Sequence, residues 1–91
     1  MAGKAQATID FGATPVESAS FVITDVNITT TTEVEAWVVV DSTVDNDQES
    51  HRHAAASWKL SALPGTGSFT LYVDCLIDLC HGTFKIRYAY A

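Results

Sequence analysis

Residues 32–53 read TEVEAWVVVDSTVDNDQESHRH, and this stretch decides the fold. Its first part, residues 32–40, alternates with the two-residue period of a β-strand, so that one face is entirely apolar. That face comprises Val34, Ala36, Val38 and Val40. The opposite face mixes two glutamates with Trp37 and Val39. The pattern predicts a strand that covers the core on one side and is partly covered on the other.

Residues 41–50 form the longest polar segment, and their Asp, Asn, Ser and Gln content predicts a loop. Six acidic side chains and no basic one lie between residues 33 and 49. Calcium prefers such hard oxygen ligands, and the candidates are Asp41, Asp45, Asp47 and Glu49. However, the segment lacks the glycine and the glutamate of an EF-hand loop, which favours a solvated loop over a calcium site.

Five further segments show strand alternation or β-branched and aromatic enrichment, namely residues 5–11, 17–25, 53–62, 68–76 and 83–90. The last two are close in sequence and are expected to pair as a hairpin. No helical period of useful length is apparent. The sequence therefore predicts one all-β domain over residues 1–91, a small antiparallel sandwich or barrel, jelly-roll-like, with about six strands or more.

Composition and charge restrict the partners. A net charge of −6 with only five Lys and Arg residues argues against nucleic acid and against an anionic membrane surface. No apolar run approaches the ~20 residues of a membrane span, and the N-terminus lacks the apolar core of a signal peptide. We therefore expect synthesis in a cytoplasm. A domain this small has a limited core, and its 47% hydrophobic and 18% charged residues favour a homo-oligomer.

His51 and His53 are the candidate metal ligands. In an extended segment, residues two apart share a face, so both imidazoles would point the same way. Two ligands do not complete a structural metal site, but a threefold axis would bring six imidazoles together. The alternative is a pair of solvent-exposed histidines where a strand begins, which the weak H-x-H pattern favours. No other cofactor is expected.

The remaining reactive side chains do not form a known catalytic pattern. Cys75 and Cys80 lie across a predicted turn, and without a secretion signal reduced thiols are expected, with a disulfide or a metal pair as alternatives. No G-x-S-x-G elbow, family-specific cysteine signature or phosphate-binding glycine loop is present. The sequence therefore predicts no enzymatic activity.

Several segments resemble small structural proteins of tailed bacteriophages. They are IDFG (residues 9–12), VEAWV (34–38), the polar loop ending at His53, GTGSFT (65–70) and GTFKIRYAY (82–90). The resemblance covers most of the chain, and its motifs are structural, so no functional residues are carried over. It implies a virion component with an all-β fold, often a homo-oligomer, encoded near tail, fibre or other virion genes.

These observations lead to a functional prediction. We expect a non-enzymatic phage structural protein, made in the host cytoplasm and assembled into the virion as a homotrimer with other virion proteins, in a tail, fibre or head decoration. Trp37 and Val39 are the candidate inter-subunit contacts. The alternative is a module that binds host-surface carbohydrate, with exposed aromatic rings as stacking platforms. Its candidates are Trp37, Tyr72 and Tyr88.

Overall fold

The computed structural model describes residues 3–91, which form six β-strands and one short helix. The elements are β1 (Gly3–Asp10), β2 (Ser18–Thr24), β3 (Val34–Val38), α1 (Gln48–Ser57), β4 (Trp58–Pro64), β5 (Ser68–Cys75) and β6 (Thr83–Tyr90). The strands form two three-stranded antiparallel sheets, with the orders β1-β6-β3 and β2-β5-β4. The predicted all-β class is confirmed, with a sandwich-like arrangement of the two sheets.

The central strand of each sheet supplies most of the core. β5 and β6 each bury every second side chain almost completely, because both strands have neighbours on either side. These side chains are Phe69, Leu71 and Val73 from β5 and Phe84, Ile86 and Tyr88 from β6. The core therefore lies between the two central strands, and the four outer strands cover its margins.

The expected hairpin between the last two strands is wrong. β5 pairs with β2 and β4, whereas β6 pairs with β1 and β3, so the two strands belong to different sheets. Since both edges of β5 are occupied, residues 76–82 cross to the other sheet instead of forming a tight turn. The helix lies against this connection as well as against β3 and β6.

Two predicted strand boundaries are also wrong. The apolar face of β3 is confirmed through Val38, but the strand ends there and Val40 is 61% exposed. The strand predicted for residues 53–62 begins only at Trp58, because residues 53–57 belong to α1. The predicted loop over residues 41–50 likewise ends in the first turn of this helix.

Helix α1 begins with a side-chain cap. The Asp47 carboxylate accepts a hydrogen bond from the Ser50 backbone N–H at 2.9 Å, which satisfies one of the free donors of the first turn. The helix ends at Trp58, whose extended backbone starts β4 and whose N–H donates to the Ala54 carbonyl. Within residues 3–91, no helix combines the length and apolar character that crossing a membrane requires.

A buried tyrosine joins the end of β2 to β6. The Tyr88 hydroxyl donates a 2.7 Å hydrogen bond to Oδ2 of Asp25, and Tyr88 is only 4% exposed. This hydrogen bond is the main reason that the pKa of Asp25 lies below its ordinary value. Burial, followed by the nearby Asp25 carboxylate, raises the pKa of Tyr88 to about 12.

The raised pKa of Tyr88 predicts a loss of stability in alkali. Neutral Tyr88 contributes its full stabilisation below the unfolded pKa of about 10, and this contribution disappears as the pH rises through the folded value. Urea denaturation at pH 8, 10 and 11.5 should show the wild type losing on the order of 2 kcal/mol more than Tyr88→Phe. Tyr72→Phe, which changes an exposed ring, is the control and should follow the wild type. Parallel pH curves for Tyr88→Phe and the wild type would contradict the assignment.

Candidate functional site

His51 is a fully buried structural residue. It is 0% exposed, and its ring lies 4.9 Å from the ring of Phe84. The backbone N–H of Lys85 donates to Nε2 at 3.0 Å, so this nitrogen carries no proton. Nδ1 therefore holds the proton and donates to the Asp47 carbonyl at 2.9 Å. The imidazole links the first turn of α1 to the backbone of β6.

The predicted pairing of His51 with His53 is wrong. Both residues lie on α1, where positions two apart point to different sides of the helix. His53 is exposed, and its Nε2 lies 2.9 Å from Oδ2 of Asp78. The two ring nitrogens of His51 are already hydrogen-bonded within the fold. Among the described residues, no group of three or more His, Cys, Asp or Glu side chains is arranged to hold a metal ion.

The four carboxylates proposed for calcium have separate partners. Each one contacts a different residue, so the set does not converge. The contacts are Asp41 with Lys85, Asp45 with Thr83, Asp47 with Ser50 and Glu49 with Arg52. Asp45 also packs tightly against Gly82, where a Cβ atom would come within 2.6 Å of the Asp45 Cβ. The segment therefore fastens α1 and the start of β6. Its loop structure over residues 41–47 and the solvent exposure of most of its side chains agree with the prediction.

A cleft of about 180 Å³ lies between α1 and the connection that follows β5. It brings together side chains that are far apart in sequence. Its lining residues are Asn46, Ser50, His53, Ala54, Ser57, Trp58, Asp78, Leu79, Cys80, His81 and Phe84. Sequence reasoning missed this cleft because α1 itself was not predicted.

The polar groups of the cleft are engaged by the protein itself. Asn46 donates from Nδ2 to the carbonyls of His81 and Thr83, at 3.0 and 2.8 Å. The Ser57 hydroxyl donates to the His53 carbonyl at 2.8 Å. Throughout residues 3–91, no buried side-chain nitrogen or oxygen lacks a hydrogen-bond partner. This arrangement holds the helix on the sandwich, and the buried polar atoms of the cleft are already hydrogen-bonded within the protein.

Cys75 and Cys80 are free thiols, and Cys80 lines this cleft. Burial, followed by the neighbouring Cys80 thiol, raises the pKa of Cys75 to about 12. Burial also raises the pKa of Cys80. Since the thiolate is the reactive form, both side chains are poor nucleophiles near neutral pH.

Trp37 and Val39 lie on the outer side of the β1-β6-β3 sheet, at its β3 edge. Trp37 is 38% exposed and stands opposite Arg87 in the register of β3 and β6. Val39 lies just beyond the end of β3 and is half-buried. An open groove of about 320 Å³ runs beside Trp37, between β3 and Leu60 and Ala62 of β4. The structure therefore leaves the Trp37 ring accessible to another molecule.

The connection between β5 and β6 exposes three large aliphatic side chains within four residues. Leu76, Ile77 and Leu79 are 66%, 71% and 60% exposed. Sequence reasoning treated this segment only as a link between two paired strands. The dense run of aliphatic residues was the available signal, because a tight solvent-exposed turn favours Gly, Asn, Asp and Ser instead.

Comparison with protein-family models, with curated proteins and with solved structures found no significant match for this chain.

Proposed function

We propose that this chain is a non-enzymatic structural protein that works by self-association in the virion of a tailed bacteriophage. The observation that carries the proposal is the exposed aliphatic run at Leu76, Ile77 and Leu79. An apolar cluster on a small acidic domain is costly to leave in water and marks a contact surface. A second copy of the chain is the occupant we propose.

The chemistry of the reactive groups supports a non-enzymatic role. The two thiols are held in their protonated form, and His51 uses both nitrogens to join α1 to β6. His53 and Asp78 also form a pair, but their side chains are 53% and 71% exposed. The pair therefore lacks the water-excluded environment that shifts the pKa values of catalytic groups.

The virion assignment rests on the resemblance of the chain to small phage structural proteins, and the all-β fold agrees with that resemblance. Under this proposal the chain is made in the host cytoplasm and joins other virion proteins in a tail, fibre or head decoration. Three copies remain the oligomer that we favour.

Size-exclusion chromatography with light scattering tests the self-association. The wild type should have a mass well above the 9.8 kDa of one chain at micromolar concentration. A Leu76→Ser, Leu79→Ser double variant should lose this contact and have a lower mass than the wild type. Its fold should stay intact, because both side chains are exposed. The matched control is Val44→Ser, which changes another exposed aliphatic residue, 98% accessible, outside this cluster. A wild-type monomer at these concentrations would refute the proposal.

Carbohydrate binding at Trp37 is the second candidate, and the accessible ring beside an open groove is the observation that favours it. The aromatic platform is smaller than the sequence predicts. Tyr88 is buried in the core, and Tyr72 lies on the outer side of the other sheet. Glycan-array binding by the wild type that is lost in Trp37→Ala and kept in Tyr72→Ala would support this function. An array without any hit for the wild type would argue against it.

A further inference from the structure

Strand β1 is a free sheet edge. It pairs with β6 on one side, and the structure of residues 3–91 gives it no strand on the other. Its eight residues, GKAQATID, contain no proline, and the strand runs in unbroken register from Gly3 to Asp10. Such an edge presents a row of unpaired backbone groups that a further strand can satisfy.

The hydrogen bonds of the sheet show which backbone groups of β1 are free. Glu33 and Ala91 exchange both backbone hydrogen bonds, so the odd-numbered residues of β6 point towards β3. The even-numbered residues of β6 therefore point towards β1, where Tyr88 is paired with Ala5 and Ile86 with Ala7. It follows that the odd-numbered residues of β1 are bonded to β6. The N–H and C=O groups of its even-numbered residues face the open edge.

The same even-numbered residues carry polar side chains on the outer face of the sheet. Their order along the strand places opposite charges side by side when two copies of β1 pair antiparallel. They are Lys4, Gln6, Thr8 and Asp10. If two copies of β1 run antiparallel about a two-fold axis at Ala7, Lys4 lies opposite Asp10 of the partner subunit. Gln6 then lies opposite Thr8 of the partner subunit. Each cross-strand pair occurs twice, because the contact is symmetric.

We propose that a second copy of this chain pairs with β1 in this register. The even-numbered residues become hydrogen-bonded pairs, and the Ala7 residues meet as a non-bonded pair, where side chains approach most closely and small ones fit best. The result is a continuous six-stranded sheet through two subunits, in the order β3-β6-β1-β1-β6-β3. The inference rests on the proposed self-association and names a contact separate from the aliphatic run at residues 76–79.

The other sheet edges do not offer the same charge complementarity. β2, with the sequence SASFVIT, has no charged residue. β4 has only Lys59 and ends at Pro64, which cannot donate to a ladder. β3 carries Glu35 without a basic residue of its own. In β1, by contrast, Lys4 and Asp10 form no ion pair within the described part of the chain, so both charges are available to a partner.

Charge reversal provides the test. The variants are Lys4→Glu, which makes both positions acidic, and Asp10→Lys, which makes both basic. With three copies joined through the other contacts, a closed assembly that also contains the two-fold β1 contact holds six chains, so each variant alone should stop at three chains and have half the wild-type mass in light scattering. Its β1 contact should be weakened at least about tenfold, because attraction is replaced by repulsion at two symmetric pairs.

Mixing the two variants should restore the wild-type mass, because both cross-strand pairs then join opposite charges. In one pair the introduced glutamate faces the introduced lysine, and in the other the unchanged Asp10 faces the unchanged Lys4. Lys4→Gln is the neutral control and should weaken the contact less than Lys4→Glu. Asp10→Lys also loses a turn hydrogen bond from the Gly12 N–H to Asp10, so Asp10→Asn, which keeps an acceptor, is its control. Recovery on mixing shows that both variants are folded.

The outcomes separate this inference from the proposed function. A wild-type monomer overturns both. A wild-type oligomer whose mass is unchanged by Lys4→Glu, or two variants that do not recover on mixing, overturns the β1 contact and leaves self-association standing. Halved masses that recover on mixing establish the contact and its register.

Discussion

Replacing His51 by alanine is expected to lower the free energy of unfolding by about 3–5 kcal/mol. The substitution removes a fully buried ring that packs 4.9 Å from Phe84, and it leaves a cavity between α1 and β6. It also leaves the Lys85 N–H, which donates to Nε2 at 3.0 Å, without its acceptor. Both losses act in the interior of the protein, because His51 is fully buried.

Urea denaturation followed by circular dichroism and tryptophan fluorescence measures this effect. His53→Ala is the matched control on the same helix, since His53 is exposed and its contact with Asp78 is a surface pair worth less than about 1 kcal/mol. A loss below about 1 kcal/mol in His51→Ala, or an equal loss in both variants, would contradict the role assigned to His51. If His51→Ala does not fold, His51→Gln should fold and lie between alanine and the wild type, because its amide can accept from Lys85.

Phe84→Ala is expected to cost about 3–5 kcal/mol as well, because Phe84 is the ring on which the two sheets and the helix meet. It is 5% exposed and lies on β6, with ring centroids 4.7 Å from Trp58, 4.9 Å from His51 and 6.0 Å from Phe11. Edge-to-face contacts of this kind add about 0.5–1.5 kcal/mol each beyond the burial of area. Phe84→Ala should therefore weaken the packing of β1, β4 and α1 at the same time.

The same denaturation experiment checks this prediction, with Phe84→Leu as the control that keeps an apolar side chain in the site. Phe84→Leu should cost clearly less than Phe84→Ala, since it leaves a smaller cavity. Equal losses in the two variants would show that the aromatic contacts and the cavity do not set the stability of this region. Tyr72→Ala, on the exposed side of β5, should change stability by no more than about 0.5–1 kcal/mol.

The helix shows where local sequence signals fail. Its buried positions are His51, Ala54 and Ser57, spaced three apart as a helix requires. None of them is a large apolar residue, so the hydrophobic stripe by which an amphipathic helix is recognised is missing. The signals that did exist were Asp47 as a capping residue, Glu49 in the first turn and the alanines at 54–56. The prediction of an extended segment at residues 51–53, with two paired imidazoles, did not take these helix signals into account.

The pairing of the strands shows a second limit. Proximity in sequence favours a hairpin between β5 and β6, but the aliphatic connection at residues 76–79 carries the chain from one sheet to the other. The aromatic residues predicted to contact another molecule differ in their exposure. Trp37 remains accessible, whereas Tyr88 lies on the inward face of the central strand β6, and its hydroxyl donates to Asp25 just after β2 of the other sheet.

The chain's own alternation was sufficient to establish an all-β domain with strands close to β1, β2, β5 and β6, because the two-residue period of a strand is a local property of the side chains. The roles of His51, Asp45 and Tyr88 depend instead on partners 34, 38 and 63 residues away, which only the packed sheets bring within hydrogen-bond distance. The stretch of residues 32–53 thus contains both cases. Its strand half follows from sequence, whereas residues 48–53 belong to a helix whose buried His51 accepts a hydrogen bond from the backbone of β6.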